Sequence, residues 1–280
     1  MLTHTLWLLR GNETLFRYYF GYEDPLFLVA CTFLECVLAN AARRQFSSGQ
    51  LLRRAWSLIT IAALFHVVGM ILSHILCTDS YINPLFACHV SWYKGAKAIL
   101  TPLSFFIGGP LHMAVLVGGL FLALRLYRKH GIRKQLKGID WIILGAVVAY
   151  TLHVAYVLIH RRFGVSRPFH LYPLEFLTWA NDPLLCVLLF EAIFLRRSVV
   201  QLGRGYVAKC WGAYVVAIFM TSLGSMITWA TNYSILPYPE SAFGWYMWPL
   251  VYTAYALAPI YQVEAAQAAQ ARLQELSPDL

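Results

Sequence analysis

The chain has 280 residues, 59% of them hydrophobic and only 12% charged, with a mean hydropathy of +0.58. That composition excludes a water-soluble domain and calls for lipid as the solvent. A net charge of +9 with no soluble basic domain to carry it reads as membrane topology and attraction to anionic headgroups, not as nucleic-acid binding.

Residues 1–23 contain Trp7, Phe16, Tyr18, Tyr19 and Phe20 but only a short apolar patch at Leu6–Leu9 and no small-residue cleavage site. They predict an interfacial segment and no cleaved signal peptide. A helix needs about 20 apolar residues to cross a hydrocarbon core of roughly 30 Å, because every backbone amide must be bonded inside the segment. Seven stretches qualify: 24–42, 55–77, 97–124, 139–160, 174–195, 207–232 and 243–263. The expected fold class is all-α, a polytopic protein with seven transmembrane helices. It belongs in a plasma or inner membrane, or in an endomembrane if the source is eukaryotic. Fifteen of the 22 basic residues, among them Arg43, Arg54, Arg128, Lys129, Arg196 and Arg197, fall in the loops after the first, third and fifth stretches and in the tail. Lys and Arg are retained in the cytoplasm, so the N-terminus is expected outside and residues 264–280 form a cytoplasmic tail.

Cysteine usage agrees with this orientation. Cys31, Cys36, Cys186 and Cys210 lie in or beside apolar stretches, where a thiol behaves as a small apolar group. Cys77 and Cys88 flank an outer loop, where an oxidising compartment would permit a disulfide. The triplets at Asn12 and Asn232 also fall outside and become glycosylation acceptors only in a eukaryote.

Two trios of stretches share features in the same order. Asp24-Pro25-Leu26 recurs as Asp182-Pro183-Leu184, Glu35 as Glu191, Trp56 as Trp211 and Gly69 as Gly224, at offsets of 158, 156, 155 and 155 residues. Pro102 and Pro110 in the third stretch correspond to Pro249 and Pro259 in the seventh. The chain therefore divides into a first three-helix repeat at 24–124, a linker helix at 139–160 and a second repeat at 174–263. An odd linker lets both copies insert the same way up, as parallel repeats about an axis along the membrane normal. This 3+1+3 layout resembles that of the SWEET and PQ-loop transporters and of the nicotinamide riboside carriers. In helix count it is also similar to the fused lycopene cyclases and the integral-membrane terpene cyclases of meroterpenoid pathways. The resemblance is one of layout: the chain has no PQ dipeptide, and the cyclases' acidic motifs are not matched.

Chemistry is sought among polar groups inside the slab, where a charge persists only when paired or useful. At 1.5 Å per residue, Glu35 lies about 12 Å outward from Arg43, His66 roughly 18 Å from Arg54, and His112 roughly 19 Å from Arg125. The two histidines share a depth, with Glu35 about a turn away, while Glu191 sits near Arg196 and could serve only as its partner. One reading is a protonation site in a central cavity, since carboxyl and imidazole groups are the usual proton carriers there. A second is a haem or metal site using His66, His112 and His153. The plain alternative has each histidine bonding a neighbouring helix's carbonyl. No metal is expected, and the sequence fixes neither a cofactor nor an oligomeric state.

The seventh stretch opens Phe243-Gly-Trp-Tyr-Met-Trp-Pro249, whose Trp245, Tyr246 and Trp248 read as interface anchors. Deeper, Tyr252 and Tyr255, with Trp179 of the fifth stretch, are candidates to bind a planar solute or a carbocation. Retinal is disfavoured because the seventh stretch has no lysine. Pro102, Gly108, Gly109 and Pro110 free carbonyls at membrane depth and let the third helix bend. The leading expectation is a small-solute carrier with a central cavity between the trios, proton-coupled through Glu35 and His66. The runner-up is a membrane enzyme acting on an isoprenoid or other lipid, with Glu35 or Glu191 as general acid and tyrosines stabilising positive charge. A subunit or sensor without chemistry comes third. The expected partners are membrane lipids and a small-molecule or lipid substrate.

Overall fold

The computed structural model describes residues 24–72, 102–129, 136–164, 172–202, 205–232 and 243–276. All secondary structure among them is helical: α1 (Asp24–Arg44), α2 (Leu51–Met70), α3 (Pro102–Lys129), α4 (Gly138–Gly164), α5 (Tyr172–Val199), α6 (Tyr206–Asn232) and α7 (Phe243–Leu276). Five of these, α1 to α4 and α6, contain segments long and apolar enough to cross a membrane, which makes the chain an integral, multi-pass membrane protein. Residues 1–23, the Cys77–Cys88 loop and Asn12 lie outside the described residues.

Several helices outrun the sequence expectation, α3 and α7 by the most at their C-terminal ends. The helix expected to end at Leu124 continues through Arg125 and Arg128 to Lys129, whose apolar stems can follow the helix to the interface. The expected tail continues α7 as helix to Leu276, because Glu264-Ala-Ala-Gln-Ala-Ala-Gln-Ala-Arg-Leu-Gln-Glu-Leu276 is almost entirely strong helix formers.

Six helices close a ring. Packing runs from α1 to α2, α3, α5, α6 and α7 and back to α1, while α4 packs on α5 from outside. The sequence explains both placements. In α1, Leu28, Thr32, Glu35, Ala39 and Ala42 recur at helical spacing and are buried, whereas Leu26, Phe33, Leu34 and Val37 are exposed. Among the described side chains of α4 only a narrow stripe, Asp140, Leu144, Val147, Thr151 and Val154, is buried, and Trp141, Ile142, Leu152 and Tyr156 face outward. Large apolar side chains gain little by leaving lipid, so helix association depends on close packing of small residues. Ala39, Ala42, Ala55, Ala62, Ala63 and Ala217 supply it.

α2 and α3 approach each other closely at paired glycines. A Cβ on Gly69 would lie 2.3 Å from the Gly108 Cα, and one on Gly119 2.8 Å from Ile59 Cγ1. Across the ring, Trp56 of α2 and Trp211 of α6 are fully buried and stack with ring centroids 6.2 Å apart and planes at 30°.

Candidate functional site

The buried stripes of α1 and α2 carry Glu35 and His66 inward because each occupies a position in phase with its small neighbours: Thr32 and Ala39 around Glu35, Ala62 and Ala63 before His66. His112 is presented differently. It follows a π-helical turn at Ile107–Leu111, which contains Gly108, Gly109 and Pro110. An inserted residue rotates the following helix by roughly 100°. Gly109 also leaves room for the Asn181 side chain of α5, whose Oδ1 lies 2.8 Å from where a Cβ would stand.

The ring brings these groups together. His66 Nδ1 lies 3.5 Å from Glu35 Oε2, too far for a good hydrogen bond, and neither atom has another partner. The His66 and His112 rings meet at a tilt with centroids 4.3 Å apart, and His66 lies against Tyr252 at 4.9 Å. Tyr255 meets both imidazoles edge-on, at 6.1 and 6.4 Å. The Tyr252 hydroxyl donates to Met70 Sδ at 3.4 Å. All five site residues are buried, with Glu35 only 1% and His112 2% exposed.

His112 Nδ1 lies 2.8 Å from the Ala62 carbonyl. A carbonyl only accepts, so Nδ1 carries the hydrogen and donates it, leaving Nε2 as the ring's basic atom. The plain alternative, a histidine bonding a neighbouring helix's carbonyl, thus describes His112 but not His66. Two charged imidazoles 4.3 Å apart would repel.

Glu191 is not in this cluster. It is buried on α5 with Oε2 lacking a hydrogen-bond partner, and no ion pair joins it to Arg196 among the described residues. Trp179 falls in a part of α5 whose side chains lie outside the described residues. His153, the third haem candidate, is exposed on the peripheral α4 and cannot face His66 across the ring. The described residues contain no group of three or more His, Cys, Asp or Glu placed to hold a metal.

Tyr214 of α6 was missed as a site residue. It packs edge-on against Tyr255 at 6.1 Å and against Trp211 at 5.9 Å, so an aromatic column runs from His66 through Tyr255, Tyr214 and Trp211 to Trp56. Its spacing of three from Trp211 and seven from Thr221 was the available signal. The Trp211 indole N–H donates to the Tyr127 hydroxyl at 3.4 Å, anchoring the column to α3. Comparison of the chain with family models, with curated proteins and with solved structures finds no match.

Proposed function

We propose that the chain is a small-solute carrier with seven spans in a 3+1+3 arrangement, N-terminus outside and C-terminus cytoplasmic, caught with its site occluded. One observation carries the reading: the buried cluster is shared between the trios. α1, α2 and α3 contribute Glu35, His66 and His112, while α6 and α7 contribute Tyr214, Tyr252 and Tyr255. A site split between halves is what rocking needs, since relative motion opens it to one side or the other. The helices that close the ring between trios are suited to bending: α3 has the π turn around Pro110, and α7 contains Pro249 and Pro259. In this reading Glu35 and His66 exchange the coupling proton, and the tyrosines hold the solute. The trio repeat is supported by Trp56 and Trp211, which correspond at the constant offset and meet face to face, as equivalent residues do on a two-fold axis.

Site accessibility tests this without knowledge of the solute. Thr32 is fully buried one turn from Glu35, and Thr32→Cys in a background with all other cysteines replaced gives a nearly isosteric reporter. A membrane-impermeant maleimide should label it slowly from either side of sealed vesicles of known orientation. Labelling from neither side, or by a lipid-soluble maleimide alone, rejects the carrier. The second pattern transfers the cluster to an enzyme fed from the bilayer.

A further inference from the structure

Among the described residues α4 packs chiefly on α5, and it leaves a slot toward α6 with α5 as its floor. The slot has a volume of about 480 Å³, within the range of roughly 300–1,000 Å³ typical of small-ligand sites. Ile143, Leu189, Ile193, Val215 and Met220 line its length. Val216 and Phe219 line it too and remain 52% and 37% exposed, so it opens sideways to lipid.

One end is polar. Asp140 at the start of α4 meets Arg197 at the end of α5, which donates through Nε and Nη2 at 2.9 and 2.7 Å. That pair is neutral. Arg196 is not compensated: it is exposed, and no carboxylate pairs with it among the described residues. Its side chain is drawn over α6, where Gly212 has no Cβ to meet it; one placed there would lie 3.6 Å from Arg196 Nε. Leu189 lies seven residues from Arg196, about 10 Å deeper along the helix. The slot thus has one unneutralised cation at the membrane-surface end of an apolar trough, the polarity of a single phospholipid with its headgroup at the surface.

We propose that this slot binds one anionic phospholipid, its phosphate on the Arg196 guanidinium and an acyl chain lying between α4 and α6. The site is independent of the central cluster, so its failure would leave the carrier reading intact. Native mass spectrometry of the delipidated protein, offered equal amounts of phosphatidylglycerol and phosphatidylcholine, tests it. The wild type should retain phosphatidylglycerol preferentially, in a stoichiometry of about one. Arg196→Gln should cut that preference about fivefold while still admitting both lipids, and Val216→Trp, at the exposed rim, should exclude both. Arg54→Gln, an exposed arginine on α2, should change nothing. A wild type without headgroup preference, an Arg196→Gln protein that keeps it, or a Val216→Trp protein that still holds lipid in a normally eluting peak each overturns the site.

Discussion

Replacing Gly69 by alanine strikes the crossing that sets the site's dimensions. The new Cβ would stand 2.3 Å from the Gly108 Cα, 2.6 Å from its nitrogen and 3.3 Å from the Ser104 carbonyl. These are backbone atoms, so no side chain can rotate away. Restoring ordinary contact requires α2 and α3 to part by about 1 Å, and overpacking of that kind costs about 1–3 kcal/mol. The same movement stretches the 2.8 Å bond from His112 Nδ1 to the Ala62 carbonyl to nearly 4 Å, beyond bonding range, for a further ~1 kcal/mol. At about 2–4 °C per kcal/mol in a chain of a few hundred residues, the thermal midpoint should fall by about 5–15 °C. Unfolding of the purified protein in detergent, followed by tryptophan fluorescence, measures it. Gly224→Ala is the internal control. Its Cβ would meet the Trp248 ring at 3.6 Å, an ordinary contact, so its midpoint should move by less than about 2 °C. A Gly69→Ala midpoint near the wild type, or an equal fall for Gly224→Ala, refutes the close crossing.

Glu35→Gln keeps the side chain's shape and removes its charge. It should fold at least as well as the wild type and abolish uptake driven by a proton gradient in proteoliposomes while leaving solute exchange in place; surviving proton-driven uptake would remove Glu35 from coupling. The buried Trp56–Trp211 stack should show about 0.5–1.5 kcal/mol of coupling in a double-mutant cycle of Leu substitutions read by thermal unfolding, and additive losses would mean the rings stand apart in solution. Asp140 accepts the Lys137 amide at 2.8 Å as well as the two Arg197 bonds, so it both caps α4 and ties it to α5. Asp140→Asn should cost about 1–2 kcal/mol, most of it at low salt because the pair is partly exposed, and a salt-independent loss would point to the cap alone.

Helix positions were legible because membrane burial writes itself into composition: a run of about 20 apolar residues has few other uses. Depth was legible too. Counting from basic flanks put Glu35, His66 and His112 at comparable levels, and the structure brings the three together. Helix facing was harder, since α1 is apolar all round and only the alternation of small residues with Phe33, Leu34 and Val37 distinguishes its inner face. His153 is set apart by docking: it is exposed on α4, which packs on α5 outside the ring. Tyr214 was missed because site aromatics were expected on the fifth and seventh stretches, while Tyr214 lies inside α6. The slot beside α4 left no sequence signal, because it depends on where α4 docks.

The two trios, if copies, have not kept the same chemistry. Glu35 and Glu191 are both buried with one carboxylate oxygen unbonded. Only Glu35 has an imidazole beside it, because the position of His66 corresponds at an offset of 155 to Thr221, which donates to its own helix at Ala217. A symmetric pair of proton sites on either side of the axis would load two charges into one ring. In the carrier proposed above, confining the imidazoles to the first trio and the site's tyrosines to the second would leave a single charge position, with the half that binds solute moving against the half that binds the proton. The Trp56–Trp211 contact lies between that site and the end of the ring where α2 and α6 begin. In that carrier, parting the trios at that end would have to separate the two indoles first, so the stack would be the barrier that keeps the site closed.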